Sequence, residues 1–415
     1  MLNIFLISLA VLALLSIIFE EVTHINKTKT TLFFGCISWI VLFISAGDIG
    51  HEKIIEAELN QNLLEIASLW LFLMSTMTFV AYLNAKGMIQ ILVQKLFPQR
   101  VSVRLLMIQV AFFSLVLSAI CDNVTATLVS LGLLTTFKLE SQMRRRMAVL
   151  IIFAVNSGGV SLITGDVTTL MIFLDGHVQM SELMMLFIPA SVSVMLLALL
   201  FSLKAEGHVS TTPIKRDFQR VDVVIAIIFF STIVATMALN VLFGIPPVLT
   251  FLTGLSIMFL VGHTTRSNKE ELQILEYIRQ VEYDTLLFFL GILLLVGMLK
   301  QIGTLDLLTQ VYAQFDPNIS NFVTGMGSAL LDNVPLTAAL LKADPLLNTP
   351  EWLGLTYSVG VGGSLLVIGS ASGIIAMSKV KELTFVSYLK YVPALLLCYS
   401  VGYALTLYLS YKFFG

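Results

Sequence analysis

SAICDNV, running from Ser118 to Val124, recurs as SALLDNV from Ser328 to Val334, a spacing of 210 residues. Two further segments repeat at similar distances. GGVSLITG (Gly158 to Gly165) returns as GGSLLVIG (Gly362 to Gly369), a spacing of 204, and EIASLWLFL (Glu65 to Leu73) returns as EYDTLLFFL (Glu282 to Leu290), a spacing of 217. Around these matches the apolar runs keep one order: three helices, a short amphipathic stretch (Met88 to Phe97; Leu305 to Phe315), a hairpin with a polar centre, a glycine-broken helix and a last helix. Five crossings per unit is an odd number, so the second unit enters the bilayer from the opposite face. The expected fold is an all-α polytopic membrane protein of two inverted repeats, each with five transmembrane helices plus one re-entrant hairpin, and with broken helices at the midplane. The first repeat covers residues 1–204 and the second 220–415, joined by a cytoplasmic linker at 205–219 that carries Pro213 and several charges. Such an arrangement points to a secondary transporter with its site at the midplane.

Composition agrees with a lipid environment. The chain has 415 residues, of which 57% are hydrophobic and 12% charged, and its mean hydropathy is +0.92. So much apolar surface cannot be kept from water by a soluble domain. Runs long enough to span, about 20 residues each, begin near Leu2, Thr31, Leu63, Met147, Leu183, Val221, Pro247, Thr285, Trp352 and Phe385. The first lacks a basic leader and a small-residue cleavage site, and so reads as a helix rather than a signal peptide.

If the two polar-centred segments enter and leave on one face, the basic residues sort cleanly. Lys27, Lys29, Lys86, Arg100, Arg104, Arg144, Arg145, Arg146, Arg220, Lys379 and their neighbours fall on one side, and Lys53, Lys300, Lys342 and Lys412 on the other. Positive charge stays cytoplasmic, which places both termini in the periplasm of a bacterial inner-membrane protein. Cys36 and Cys398 read as core filler, and Trp39, Trp70 and Trp352 as lipid-facing or interfacial.

An ionisable side chain at bilayer depth costs at least about 2.5 kcal/mol, so buried acids need a reason. Asp122 and Asp332 sit at the hairpin centres, where unpaired carbonyls and carboxylates suit a hard cation such as sodium. Ser118, Asn123, Thr127, Ser328, Asn333 and Thr337 offer neutral oxygens, or cap the hairpin arms. The broken helix from Asn156 to Leu170 adds a midspan acid, Asp166, flanked by Thr164, Thr168 and Thr169, while its partner carries Ser370 and Ser372 instead. The expected Na⁺ ligands are therefore three carboxylates, Asp122, Asp166 and Asp332. Carboxylates gathered in one dry cavity repel one another and lose hydration, and both effects favour protonation. A cluster that binds either sodium or protons gives antiport without further machinery. Glu65, Glu282 and Asp284 read as helix-start acids, with a role in a proton path as the alternative for each. Glu20, Glu21 and His24 form a cluster at the inner end of the first helix.

SAICDNVTATL, NSGGVSLITGDVTTL and GSALLDNVPLTAAL resemble the motifs of NhaD-type sodium/proton antiporters of the ion transporter superfamily. The likeness covers almost the whole chain. It implies an elevator-type transporter, a homodimer, and efflux of Na⁺ or Li⁺ in exchange for protons. It also implies functional roles for Ser118, Asp122, Asn123, Asn156, Asp166, Thr168, Thr169, Asp284, Ser328, Asp332 and Asn333, with Ser364, Ser370 and Ser372 in the last motif. The rival within the superfamily is a sodium-coupled di- or tricarboxylate symporter or an anion exporter, whose hairpin tips hold the anion with Ser, Asn and Thr; aspartates at the tips would repel such a substrate. Neither a nucleotide-binding loop nor a serine-nucleophile elbow is present, so no cofactor, nucleotide, nucleic acid or enzymatic reaction is expected. Membrane lipid and a second copy of the chain are the partners expected.

Overall fold

A computed structural model describes residues 2–18, 26–46, 49–88, 100–135, 137, 139–203, 205–210, 220–264, 275–281 and 283–415. The helices of the first half are α1 (Leu2–Ile18), α2 (Lys27–Ser45), α3 (Ile49–Ala85), α4 (Val103–Ile120), α5 (Asn123–Thr135), α6 (Ser141–Gly159), α7 (Val167–Leu174), α8 (Met180–Met185) and α9 (Phe187–Ser202). Those of the second are α10 (Arg220–Phe243), α11 (Pro247–Thr264), α12 (Leu275–Ile278), α13 (Tyr283–Gln301), α14 (Asp306–Gln314), α15 (Pro317–Gly327), α16 (Asn333–Ala343), α17 (Thr349–Gly362), α18 (Ala371–Lys379), α19 (Phe385–Leu389) and α20 (Val392–Phe414). A two-stranded antiparallel ribbon departs from the all-α expectation. Its strands, β1 (Arg100–Ser102) and β2 (His208–Ser210), tie the start of α4 to part of the segment read as a linker. Glu20, Glu21, His24, Glu282, most of the stretch from Met88 to Phe97 and the rest of the linker lie outside the described residues.

Among the described residues seven helices are long and apolar enough to cross a membrane, against the ten crossings expected from the sequence. Four of the ten expected runs are not among the seven: α1 and α11 are continuous but slightly short, and the other two are broken. The run from Met147 is split between α6 and α7, and the run from Trp352 between α17 and α18, so neither is one continuous helix. Helix α4, expected as a hairpin arm, is by itself long enough to qualify. The arms α15 and α16, of 11 residues each, fall well short of the roughly 20 that a crossing needs.

Where each helix sits follows from which of its faces are apolar. Every residue of α6 from Met147 to Gly159 is buried, and so is every residue of α17 from Trp352 to Gly362. A helix apolar all round belongs in the centre of the molecule. By contrast α1, α10 and α20 expose Ile4, Phe5, Ile227, Phe230, Leu242 and Phe413. Apolar side chains on the outside of such a bundle face lipid rather than water, and the chain is a multi-pass membrane protein.

The two broken helices hold the two hairpins through glycine. A Cβ on Gly158 of α6 would lie 2.1 Å from the Leu115 carbonyl oxygen of α4, and a Cβ on Gly362 of α17 would lie 2.0 Å from the Gly325 carbonyl oxygen of α15. Gly158 and Gly362 are 204 residues apart, and Leu115 and Gly325 are 210 apart, the same spacings as the sequence repeats. The repeat is thus a repeat of contacts: in each half a hairpin arm lies backbone-to-backbone on a central helix, which only a residue without a side chain permits.

The tryptophans correct the expectation of lipid exposure. Trp39 and Trp352 are buried; Trp39 Nε1 donates to the Leu294 carbonyl oxygen at 2.8 Å and Trp352 stacks on His177 at 3.8 Å. Trp70 is part-buried and donates to the Leu286 carbonyl at 2.8 Å, joining α3 to α13. Cys398 is buried as expected, whereas Cys36 is exposed on α2, so it does not fill the core.

Candidate functional site

Cys121 and Asp122 break the first hairpin, and Ser328 to Asp332 breaks the second. Residues 160–166 and 363–370 break the two central helices. Each break is followed by a new helix, whose N-terminus lies at one shared cavity. Asp122 precedes α5 and accepts from the Thr125 N–H at 2.9 Å and the Thr125 hydroxyl at 2.8 Å. Asp166 caps α7, accepting from the Thr168 N–H at 3.2 Å. Asp332 caps α16, and Ser370 stands at the N-terminal boundary of α18 without a side-chain capping bond. All four residues line one cavity of about 190 Å³, together with Asn123, Asn333, Lys27 and Asp284.

A helix N-terminus carries roughly half a positive charge, so an ionised carboxylate at each of three ends leaves about half a negative charge apiece in excess. This explains how acids are tolerated at that depth and why the cluster attracts a cation. The fourth end, at Ser370, has only a hydroxyl.

Two of the three carboxylates are partnered across the halves. Asn333 Nδ2 donates to Asp166 Oδ2 at 3.0 Å, joining α16 to the start of α7. Lys27 Nζ donates to Asp332 Oδ2 at 2.8 Å, joining α2 to α16. Among the described residues no three His, Cys, Asp or Glu side chains are grouped closely enough to hold a metal ion in common.

Other residues singled out in the sequence stand behind this cavity. Ser118 donates to Asn123 Oδ1 at 2.8 Å, and Thr169 to the Gly159 carbonyl at 3.2 Å. Asn156 is fully buried and donates to both Ser370 Oγ and Ser372 Oγ, at 3.1 and 2.7 Å, so it holds the break of α17–α18 against α6. Thr168 contributes its backbone N–H to Asp166, and Ser328 donates to the Val359 carbonyl at 2.9 Å. Thr127 and Thr337 donate within their own helices, to the Asn123 and Asn333 carbonyls. Ser364 is spent on the Val361 carbonyl and does not line the cavity.

Glu65 is elsewhere. It lies in the middle of α3, not at a helix start, and pairs with Lys342 at the far end of α16. That pair lines a second cavity of about 200 Å³, walled by the distal parts of the helices that form the first: α3, α7, α13 and α16. Asp284 does lie in the first turn of α13, exposed at the edge of the first cavity, where Asn26 Nδ2 approaches it at 3.4 Å.

Lys27 is the residue the sequence reading misplaces. It counts there as one more cytoplasmic anchor, but its side chain is 18% exposed and enters the site. The available signal is local: it is the first residue of a helix capped by Asn26, where helix electrostatics favour an acid over a base.

Against known proteins, residues 2–360 match the family described as citrate transporter, CitMHS. The chain belongs to that family. It is 29% identical over 409 residues to the Na(+)/H(+) antiporter NhaD of Vibrio parahaemolyticus, covering 90% of this chain and 98% of the relative. It is 30% identical over 441 residues to the Na(+)/H(+) antiporter NhaD of Alkalimonas amylolytica, covering 98% and 91%. Sodium/proton antiporter 2 of Arabidopsis thaliana is 29% identical over 386 residues, 88% of this chain and 90% of the relative. The chain is therefore a relative of the NhaD-type antiporters, as its motifs suggest. Among solved structures the Alcanivorax borkumensis YdaH transporter superposes with a TM-score of 0.56 over 94% of this chain and 99% of that one, at 11% identity, a likeness of fold.

Proposed function

We propose that this protein is a secondary active transporter that exports Na⁺, and Li⁺, in exchange for H⁺. The observation that carries the reading is the placement of Asp122, Asp166 and Asp332 on three helix N-termini around one cavity, in a chain related to NhaD antiporters along nearly its whole length. The ion and the proton compete for these carboxylates, with Asn123, Asn333 and Ser370 supplying neutral oxygens and Ser118, Asn156, Thr168, Thr169, Ser328 and Ser372 holding the breaks in place. Because both ligands want the same oxygens, the apparent KM for Na⁺ falls as pH rises.

The two halves act as inverted repeats with re-entrant hairpins, and occupancy drives an elevator-type movement of the hairpins and broken helices in a homodimer. The protein sits in a bacterial inner membrane with both termini periplasmic. Two cavities at opposite ends of α7 and α16 suit alternating access, one facing the carboxylates and the other lined by Glu65 and Lys342.

The test uses everted membrane vesicles from cells without antiporters of their own, energised to an acid interior. Dissipation of the proton gradient on adding NaCl or LiCl, lost in Asp122→Asn and Asp332→Asn, is the expected result. The second reading, a carboxylate symporter, draws on Lys27 and on the helix end at Ser370, which carries no acid; both favour an anion. No response to Na⁺ or Li⁺, with sodium-dependent uptake of citrate or a dicarboxylate, would establish it instead.

A further inference from the structure

Lys27 occupies a position that its own helix disfavours. It is the first residue of α2, where the exposed N–H groups of the helix end repel a cation, and it is only 18% exposed to solvent. Among the described residues it is held by the site. Its Nζ lies 2.8 Å from Asp332 Oδ2 and 4.4 Å from the centre of the Phe288 ring. Among the described residues Asp332, 9% exposed, otherwise receives a long 3.5 Å contact from the Val334 N–H on its other oxygen. The ammonium is thus the strongest partner of the carboxylate at the tip of the second hairpin. It also comes from a different element, 305 residues away in sequence.

We propose that the Lys27 ammonium is a tethered competitor for the transported cation: it occupies Asp332 when no ion is bound, and an ion reaches that carboxylate only by displacing it. This rests on the antiport reading above. A sodium ion and an ammonium cannot both lie against one carboxylate oxygen without strong repulsion, since like charges about 4 Å apart near a protein surface oppose each other by more than the equivalent of a tenfold change in affinity. The displaced ammonium keeps its place over Phe288 and has Asp284 on the same cavity wall to turn toward. The tether therefore sets a threshold: it weakens cation binding, speeds cation release, and prevents the emptied site from being left as an unpaired buried charge.

The test is ²²Na⁺ binding and Na⁺-driven proton transport by the purified full-length protein, at fixed pH and ionic strength, in the wild type, Lys27→Gln and Lys27→Arg. Lys27→Gln removes the competitor, and the Kd for Na⁺ is expected to fall about tenfold while turnover drops as release slows. Lys27→Arg strengthens the competitor, because a guanidinium meets a carboxylate with two parallel hydrogen bonds, and the Kd is expected to rise severalfold. A lysine with a merely structural role predicts weaker binding in both variants, or no change in either, and either result overturns the proposal. Should Lys27→Gln fail to purify as a monodisperse protein, Lys27→Met takes its place as the uncharged variant, and a Kd that does not fall refutes the tether. If the wild type itself neither binds nor transports Na⁺, the antiport reading falls and the tether with it. A wild type that binds Na⁺ with both variants unmoved removes the tether only.

Discussion

Replacing Gly362 by alanine tests whether the hairpins are positioned by backbone contact with the central helices. The new Cβ would sit 2.0 Å from the Gly325 carbonyl oxygen and 2.6 Å from its carbonyl carbon, both backbone atoms that no rotamer change can move aside. Relieving the contact to the roughly 3.2 Å that a methyl group tolerates needs a separation of α15 from α17 by about 1 Å. Overpacking of this kind costs about 1–3 kcal/mol, which lowers the thermal midpoint of the purified protein by a few degrees. The larger effect is on transport. Helix α15 leads into the turn that carries Asp332, and a displacement of about 1 Å at a site of fixed geometry costs on the order of 10²-fold in rate. The control is Gly327→Ala on the same hairpin, where a Cβ would meet nothing within 4 Å and no steric effect is expected. Measured side by side in everted vesicles, Gly362→Ala should be nearly inactive and Gly327→Ala close to wild type. Activity above half of wild type in Gly362→Ala, or equal loss in both, would refute the packing argument.

Gly158→Ala, whose Cβ would lie 2.1 Å from the Leu115 carbonyl oxygen, should reproduce the defect on the first hairpin; the same vesicle assay checks it. Asp166→Asn removes the central carboxylate that Asn333 contacts, and Na⁺-dependent proton release should fall by about two orders of magnitude or more while expression stays normal. Asn156→Leu removes the amide that donates to both buried hydroxyls of Ser370 and Ser372, leaving them each other, and should destabilise the protein by about 1–3 kcal/mol, read as a lower thermal midpoint. Glu65→Gln leaves Lys342, 13% exposed, without its carboxylate in the second cavity. Its turnover should change with little effect on the Na⁺ Kd, and Glu65→Lys combined with Lys342→Glu should restore part of the loss.

Much of the architecture is legible in the chain because the constraints on it are local. Apolar runs mark helices, since lipid leaves backbone groups no partner outside their own segment. The DNV motifs and paired glycine segments mark the breaks, since an acid that starts a helix and a glycine that admits another backbone are requirements of single positions. Asp122, Asp166 and Asp332 are readable as candidates for that reason: charged groups at apolar depth are costly wherever the fold places them. The expected number of continuous spans is higher than the number observed because hydropathy counts a run whether or not its helix is broken, as at residues 160–166 and 363–370, and does not fix helix length, as in α1 and α11.

The pairings are a different matter. Lys27 and Glu65 look alike in the sequence, each a charged residue beside an apolar run, yet one enters the ion cavity and the other joins Lys342 in the second cavity. The buried Trp39 and Trp352 are as apolar in sequence as residues that face lipid, and only their neighbours distinguish them. By itself the sequence determined which residues are unusual at their depth, because desolvation depends on the local segment. Which of them meet was decided by the crossing of elements hundreds of residues apart, because Coulomb and hydrogen-bond energies depend on distances of a few ångströms that only the packed bundle sets.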